Sequence, residues 1–111
     1  MPNDKESNVA LIKWSEEEGR VKLELPSDLD LPMAQPLVDS LRHAFAVGDA
    51  IEILANGVER VSTACVQAVL VASRTAVESR QKFAIIGPSV PFADACSDLG
   101  LSDWLKQWRR S

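Results

Sequence analysis

The chain has 111 residues, 46% of them hydrophobic and 25% charged, and a net charge of −4. This is the composition of one soluble globular domain, long enough to bury a core without staples. The acidic balance, with no basic stripe, argues against nucleic-acid binding, and no apolar run is long enough for a membrane span or a signal peptide.

Met1 to Ser7 is polar, so residues 1–8 are expected to be a flexible N-terminus and residues 9–109 the folded domain. Val9 to Trp14 reads as a first strand, Ser15 to Gly19 as a turn, and the alternating Val21 to Leu25 as a second, half-buried strand. Two strands joined by a short turn containing glycine predict an antiparallel hairpin at one end of a sheet. Pro32 and Pro36 then bracket a helix start near Met33, because proline is tolerated only in a helix's first turn. Leu37, Leu41, Ala44 and Phe45 form its apolar stripe, and Gly48 stops it.

Ile51 to Ala55 is a third strand, and helical periodicity follows from Ala64 to Ser79, with Val66, Val69, Leu70, Ser73 and Val77 on one face. Phe83 to Ile86 is a fourth strand, closed by Gly87-Pro88. Ser89 caps a third helix that turns Phe92, Ala95, Cys96 and Leu99 inward, and Gly100 ends it. Ser102 opens a last short helix, on which Trp104 and Trp108 share the face that packs it down. The order β-β-α-β-α-β-α-α predicts a single α/β domain. Its mixed four-stranded sheet has right-handed crossovers from Ile51 onward and helices packed on it.

The chemistry-bearing residues concentrate between the third strand and the second helix, in Val61-Ser62-Thr63-Ala64-Cys65-Val66-Gln67. Two adjacent hydroxyls at a helix start can cap free backbone N–H groups. The same position places an added phosphate at the positive end of the helix dipole. Taken alone, the segment is a capping turn. Cys65 reads as a small packing residue, the alternative being a reactive thiolate at the helix N-terminus that would alkylate rapidly at neutral pH. Asp28 and Asp30 read as loop and capping residues rather than an acid/base pair, for want of a catalytic partner. His43 reads as a surface residue of the first helix. Gly87-Pro88-Ser89 lacks the glycine spacing and the lysine of a phosphate-binding loop. Cys65 and Cys96 form neither a disulfide framework nor a metal spacing, and one histidine cannot complete a conventional zinc site. Free cysteines fit a reducing cytoplasm. No cofactor is expected.

This order of elements, with a hydroxyl turn after the third strand, resembles the STAS family, also called the anti-sigma-factor antagonist family, from about Val9 to Trp108. In that family the turn commonly reads Asp-Ser/Thr-Ser/Ala-Gly-Leu, and one branch reads Val-Asp-Thr-Ala-Gly-Leu-Gln. Ser62 here stands where the family has Asp, and Cys65 where it has Gly. Leu29-Asp30 is similar to the Leu-Asp segment ahead of the first helix, and Ser97-Asp98-Leu99-Gly100-Leu101 to the closing segment. The resemblance implies a non-catalytic bacterial adaptor of the partner-switching type. A serine/threonine kinase with a histidine-kinase-like fold modifies the hydroxyl after the Asp, the unmodified form binds its partner, and the phosphorylated form releases it.

By position the acceptor is Thr63, with Ser62 as the alternative, and the partner-binding residues are Asp30, Ser62, Thr63, Ala64, Cys65 and Gln67. The partner implied is such a kinase or an anti-sigma factor, in sigma-factor control or a chemotaxis-type system. A second implied role is that of a subunit binding the ATPase of a lipid-transport ABC complex, where the threonine contributes to binding and regulated phosphorylation is not central. Oligomeric state stays open, since a sheet edge or the tryptophan helix could mediate pairing.

Overall fold

The computed structural model describes residues 12–110. The expected flexible segment 1–8 and the start of the first expected strand, Val9 to Leu11, lie outside the described residues.

β1 (Lys13–Glu17) and β2 (Arg20–Glu24) form the expected antiparallel hairpin, with Trp14 opposite Leu23 and Glu17 opposite Arg20. The strand runs further than expected, through Ser15, Glu16 and Glu17, and the turn shrinks to Glu18-Gly19. Both turn residues have positive φ, 55° and 83°, the backbone that a two-residue hairpin needs to match strand twist. The Glu16 carboxylate accepts the Gly19 N–H at 2.9 Å and secures the reversal.

β2 then pairs in parallel with β4 (Ala50–Leu54), and β4 with β6 (Lys82–Ile86). A two-residue strand that sequence periodicity could not show, β7 (Arg109–Arg110), extends the sheet beside β6, giving the order β1-β2-β4-β6-β7. A separate pair, β3 (Asp28–Leu29) and β5 (Arg60–Val61), lies in the two connections that leave β2 and β4.

The four helices are α1 (Ala34–Val47), α2 (Thr63–Ser79), α3 (Val90–Asp98) and α4 (Ser102–Trp108). A 3₁₀ turn over Leu31–Met33 carries Pro32, and Pro36 falls in the first turn of α1, where its missing N–H costs nothing. Val21, Leu23, Ile51, Ile53, Phe83 and Ile85 make the apolar face of the sheet. They are buried with Leu37, Leu41 and Ala44 of α1 and with Val66 and Val69 of α2. The alternate residues of β2, namely Arg20, Lys22 and Glu24, face solvent.

Three local expectations change. Val77 is 63% exposed, because the buried face of α2 runs through Cys65, Val66, Val69, Ala72, Ser73 and Ala76 and leaves residue 77 on the outer side. Leu99 is 39% exposed, lying just past the end of α3. Gly48 does end α1, but in extended backbone (φ −120°), so left-handed freedom is not what calls for glycine. A Cβ there would meet Val21 Cγ2 at 2.6 Å and the Gly19 carbonyl at 3.0 Å, so close packing against the hairpin requires it.

Two polar contacts tie the helices down. The Gln81 amide donates to the carbonyls of Phe45 and Gly48 at 3.0 and 2.6 Å, satisfying the C-terminal end of α1. Trp104 Nε1 donates at 2.9 Å to the buried Ser73 hydroxyl, which itself donates to the Leu70 carbonyl at 2.6 Å. Trp108 meets Phe83 edge-on at 5.5 Å, so both tryptophans pack α4 down as expected.

Candidate partner-binding site

β3 and β5 bring the two expected segments together. Leu29 pairs with Val61, the Ser27 carbonyl accepts the N–H groups of Glu59 and Arg60, and the Leu29 carbonyl accepts the Ser62 N–H at 2.8 Å. Leu29 and Val58 are fully buried and anchor both connections from below. Asp30 is therefore delivered beside the Ser62–Thr63 turn, although 32 positions of sequence separate Asp30 from Ser62. The Arg60–Asp28 ion pair at 3.8 Å is largely solvent-exposed and contributes little to holding them.

Ser62 is the N-cap of α2, with extended backbone (φ −81°, ψ 158°), and its Oγ accepts the Cys65 N–H at 3.2 Å. Thr63 is the first helical residue and is exposed. The two hydroxyls thus differ: one is half-buried and engaged in capping, the other stands at the surface beside the positive end of a 17-residue helix. Gln67, one turn on, is exposed on the Thr63 side, with Ala64 half-buried between them.

Cys65 lies beneath this surface. It is fully buried, and its thiol donates to the Asp30 carbonyl at 3.6 Å, which links the two loops once more. Burial pushes the Cys65 thiol above its usual pKa, opposed by hydrogen bonding to Ser62 and reinforced by the Asp30 charge. This environment suits a packing residue and disfavours a thiolate nucleophile. His43 is exposed on α1, with its ring edge-on to Trp14 at 4.7 Å. Among the described residues, no group of three His, Cys, Asp or Glu could hold a metal ion. No helix there is long and apolar enough to cross a membrane.

A groove of about 480 Å³ between α1 and α2 continues from the turn and was not anticipated from the sequence. Val38, Leu41 and Phe45 line one side, Ala64, Ala68 and Val71 the other, with Arg42 and Gln67 also lining it. Val71 is 55% exposed in it, and Leu31, next to Asp30, is 66% exposed. One sequence signal was available: Ala64, Ala68 and Ala72 recur every four residues along α2 and keep that helix face low.

Residues 12–107 match the family model described as "Mlab, STAS domain", and the chain belongs to that family. Solved structures share the fold. The anti-sigma factor antagonist SpoIIAA in its unphosphorylated form superposes with a TM-score of 0.74 at 15% identity, over 89% of this chain and 85% of that one. SpoIIAA of Bacillus in its phosphorylated form gives 0.72 at 15% identity, over 89% and 88%. A serine-to-glutamate variant of RsbS from Moorella thermoacetica gives 0.67 at 19% identity, over 81% and 78%. No curated protein sequence matches significantly. At these identities the likeness to solved structures is one of fold.

Proposed function

We propose that this chain is a non-catalytic adaptor that binds a partner protein through Asp30, Ser62, Thr63, Ala64 and Gln67, with Cys65 supporting the surface from beneath. Phosphate on Thr63 is the release signal. The observation that carries this reading is the division of labour at the turn: Thr63 is exposed at the first position of α2, while the Ser62 oxygen caps the helix. SpoIIAA, whose fold this chain shares, has been solved in both unphosphorylated and phosphorylated forms.

The physics of such a switch is local. A phosphate adds about −1.5 to −2 charges and three acceptor oxygens. The helix N-terminus accommodates that charge, whereas an apposed partner surface must desolvate it. Turning binding from mostly on to mostly off requires on the order of 5 kcal/mol of differential affinity, within reach of one buried dianion at an interface. The partner class is a histidine-kinase-like serine/threonine kinase or an anti-sigma factor.

The second reading, a subunit bound to the ATPase of a lipid-transport ABC complex, is favoured by how fully Ser62 and Cys65 are engaged within the domain. Ser62 is fixed as the cap, Cys65 fills the place of the family's glycine from inside the core, and an apolar groove adjoins. Such a preformed surface suits a permanent contact. Capture from the native host with wild-type, Thr63→Ala and Thr63→Glu baits separates the two. A kinase-like partner held by the first two and lost with Glu, with phosphate mapped on Thr63, is the expected result. Equal capture by all three sinks the switch, and an ABC ATPase captured without phosphate moves the chain to the second reading.

A further inference from the structure

We infer that the solvent-facing side of the sheet carries a binding site for a phosphate-bearing anion of two or more charges. A concavity of about 360 Å³ lies there, bordered on that face by Arg20, Lys82 and Arg110 and by a single carboxylate, Glu52. Three cations to one carboxylate is a local excess of positive charge on a chain whose net charge is −4. The volume falls in the range of roughly 300–1,000 Å³ typical of small-ligand sites. None of its lining residues belongs to the Thr63 surface, so the inference stands apart from the proposed adaptor function.

The concavity exists because small side chains occupy its floor. Ala50 pairs with Arg20 on one side and Lys82 on the other, and Ala84 pairs with Glu52. Arg110, paired with Ile86, reaches the Glu52 carboxylate at 2.6 Å, and Arg20 approaches the same oxygen at 3.9 Å. The Glu52 side chain is only 14% exposed. Its charge is thus already shared between two guanidinium groups, and it orients them more than it opposes an incoming anion. Among the described residues, Lys82 has no carboxylate partner within ion-pair distance. Arginine forks match phosphate oxygens in pairs, and a lysine beside them adds a point charge. A singly charged carboxylate ligand would leave most of this positive charge unmet.

The source of the phosphate is either a free ligand or a lipid headgroup, and two arms distinguish them. The first is calorimetric titration with inorganic pyrophosphate at low salt. The second is sedimentation with phosphatidylcholine vesicles, with and without phosphatidic acid. Each uses the wild type, Arg20→Ala/Lys82→Ala, and the charge-matched Arg74→Ala/Lys106→Ala, whose residues are exposed on α2 and α4. We expect pyrophosphate binding that weakens about tenfold or more in the first variant and persists in the second. Vesicle binding that requires phosphatidic acid and is lost in the same variant, without pyrophosphate binding, identifies a headgroup. Failure of both probes to bind the wild type, or equal loss in both variants, overturns the site.

Discussion

Ser62 and Thr63 are adjacent hydroxyls that differ in what they touch, and each yields a separate test. Removing the cap with Ser62→Ala leaves the Cys65 N–H without its side-chain acceptor. It should cost about 1 kcal/mol, a fall in Tm of about 4–8 °C for a domain near 100 residues, measured by thermal denaturation. Thr63→Glu touches no cap and should leave Tm nearly unchanged while removing partner binding. Cys96 supplies a pH test. It is fully buried in the core, and burial raises its thiol from 9.0 to about 11. Between these values the unfolded chain loses a proton that the folded chain keeps. Stability linked to Cys96 is therefore fully present below about pH 9 and falls until about pH 11, by roughly 2–3 kcal/mol. Denaturant unfolding across this window should show a shallower decline in Cys96→Ala, and parallel profiles would count against the assignment.

At the scale of elements, the hairpin and the end of α1 interlock. Gly48→Ala places a methyl 2.6 Å from Val21 Cγ2, in contact with a fully buried core residue. Overpacking there should cost about 1–3 kcal/mol in urea unfolding, far more than glycine to alanine at the open Gly57. A cost no larger than that at Gly57 would show that β2 moves aside. Legibility varied in the same way among the elements. β2, β4, β6 and the four helices were readable from alternation, a short apolar run or helical periodicity, whereas β1 was readable only at Lys13 and Trp14. The pairs β3–β5 and β6–β7 involve two-residue strands, Asp28–Leu29, Arg60–Val61 and Arg109–Arg110, too short to show any period. Glu16 and Glu17 read as turn residues because a strand exposed along its whole length has no apolar alternation to mark it.

For the whole molecule, the layered burial predicts a gradient of local stability. β4 and β6 are flanked on both sides by other strands, and most of their residues are buried or half-buried. β1 pairs on one side only, and all five of its residues are exposed. Hydrogen exchange should therefore find the most protected amides in β4 and β6 and the least protected strand amides in β1. Uniform protection across the sheet would contradict this. The gradient leaves the turn before α2 mounted on the stable part of the domain, consistent with a binding surface that keeps its shape.

The sequence by itself determined the class of fold and the capped start of α2, because both depend on local periodicity or on residue types at fixed spacing, whereas the candidate site residues were implied by the family resemblance of the turn. Thr63 and Gln67 are four positions apart, so their common helix face follows from helical geometry alone. Tertiary structure decided what depends on contacts between distant segments. It brought Asp30 to the turn through the β3–β5 pair, put Cys65 under the surface, and opened the groove between α1 and α2. It also gathered Arg20, Lys82 and Arg110 from three strands onto one concavity. In sequence Arg20 and Lys82 look like ordinary solvated charge, and Arg110 reads with Lys106 and Arg109 as a small basic cluster at a helix end. Parallel pairing, which sets strands far apart in sequence side by side, is the physical reason they converge.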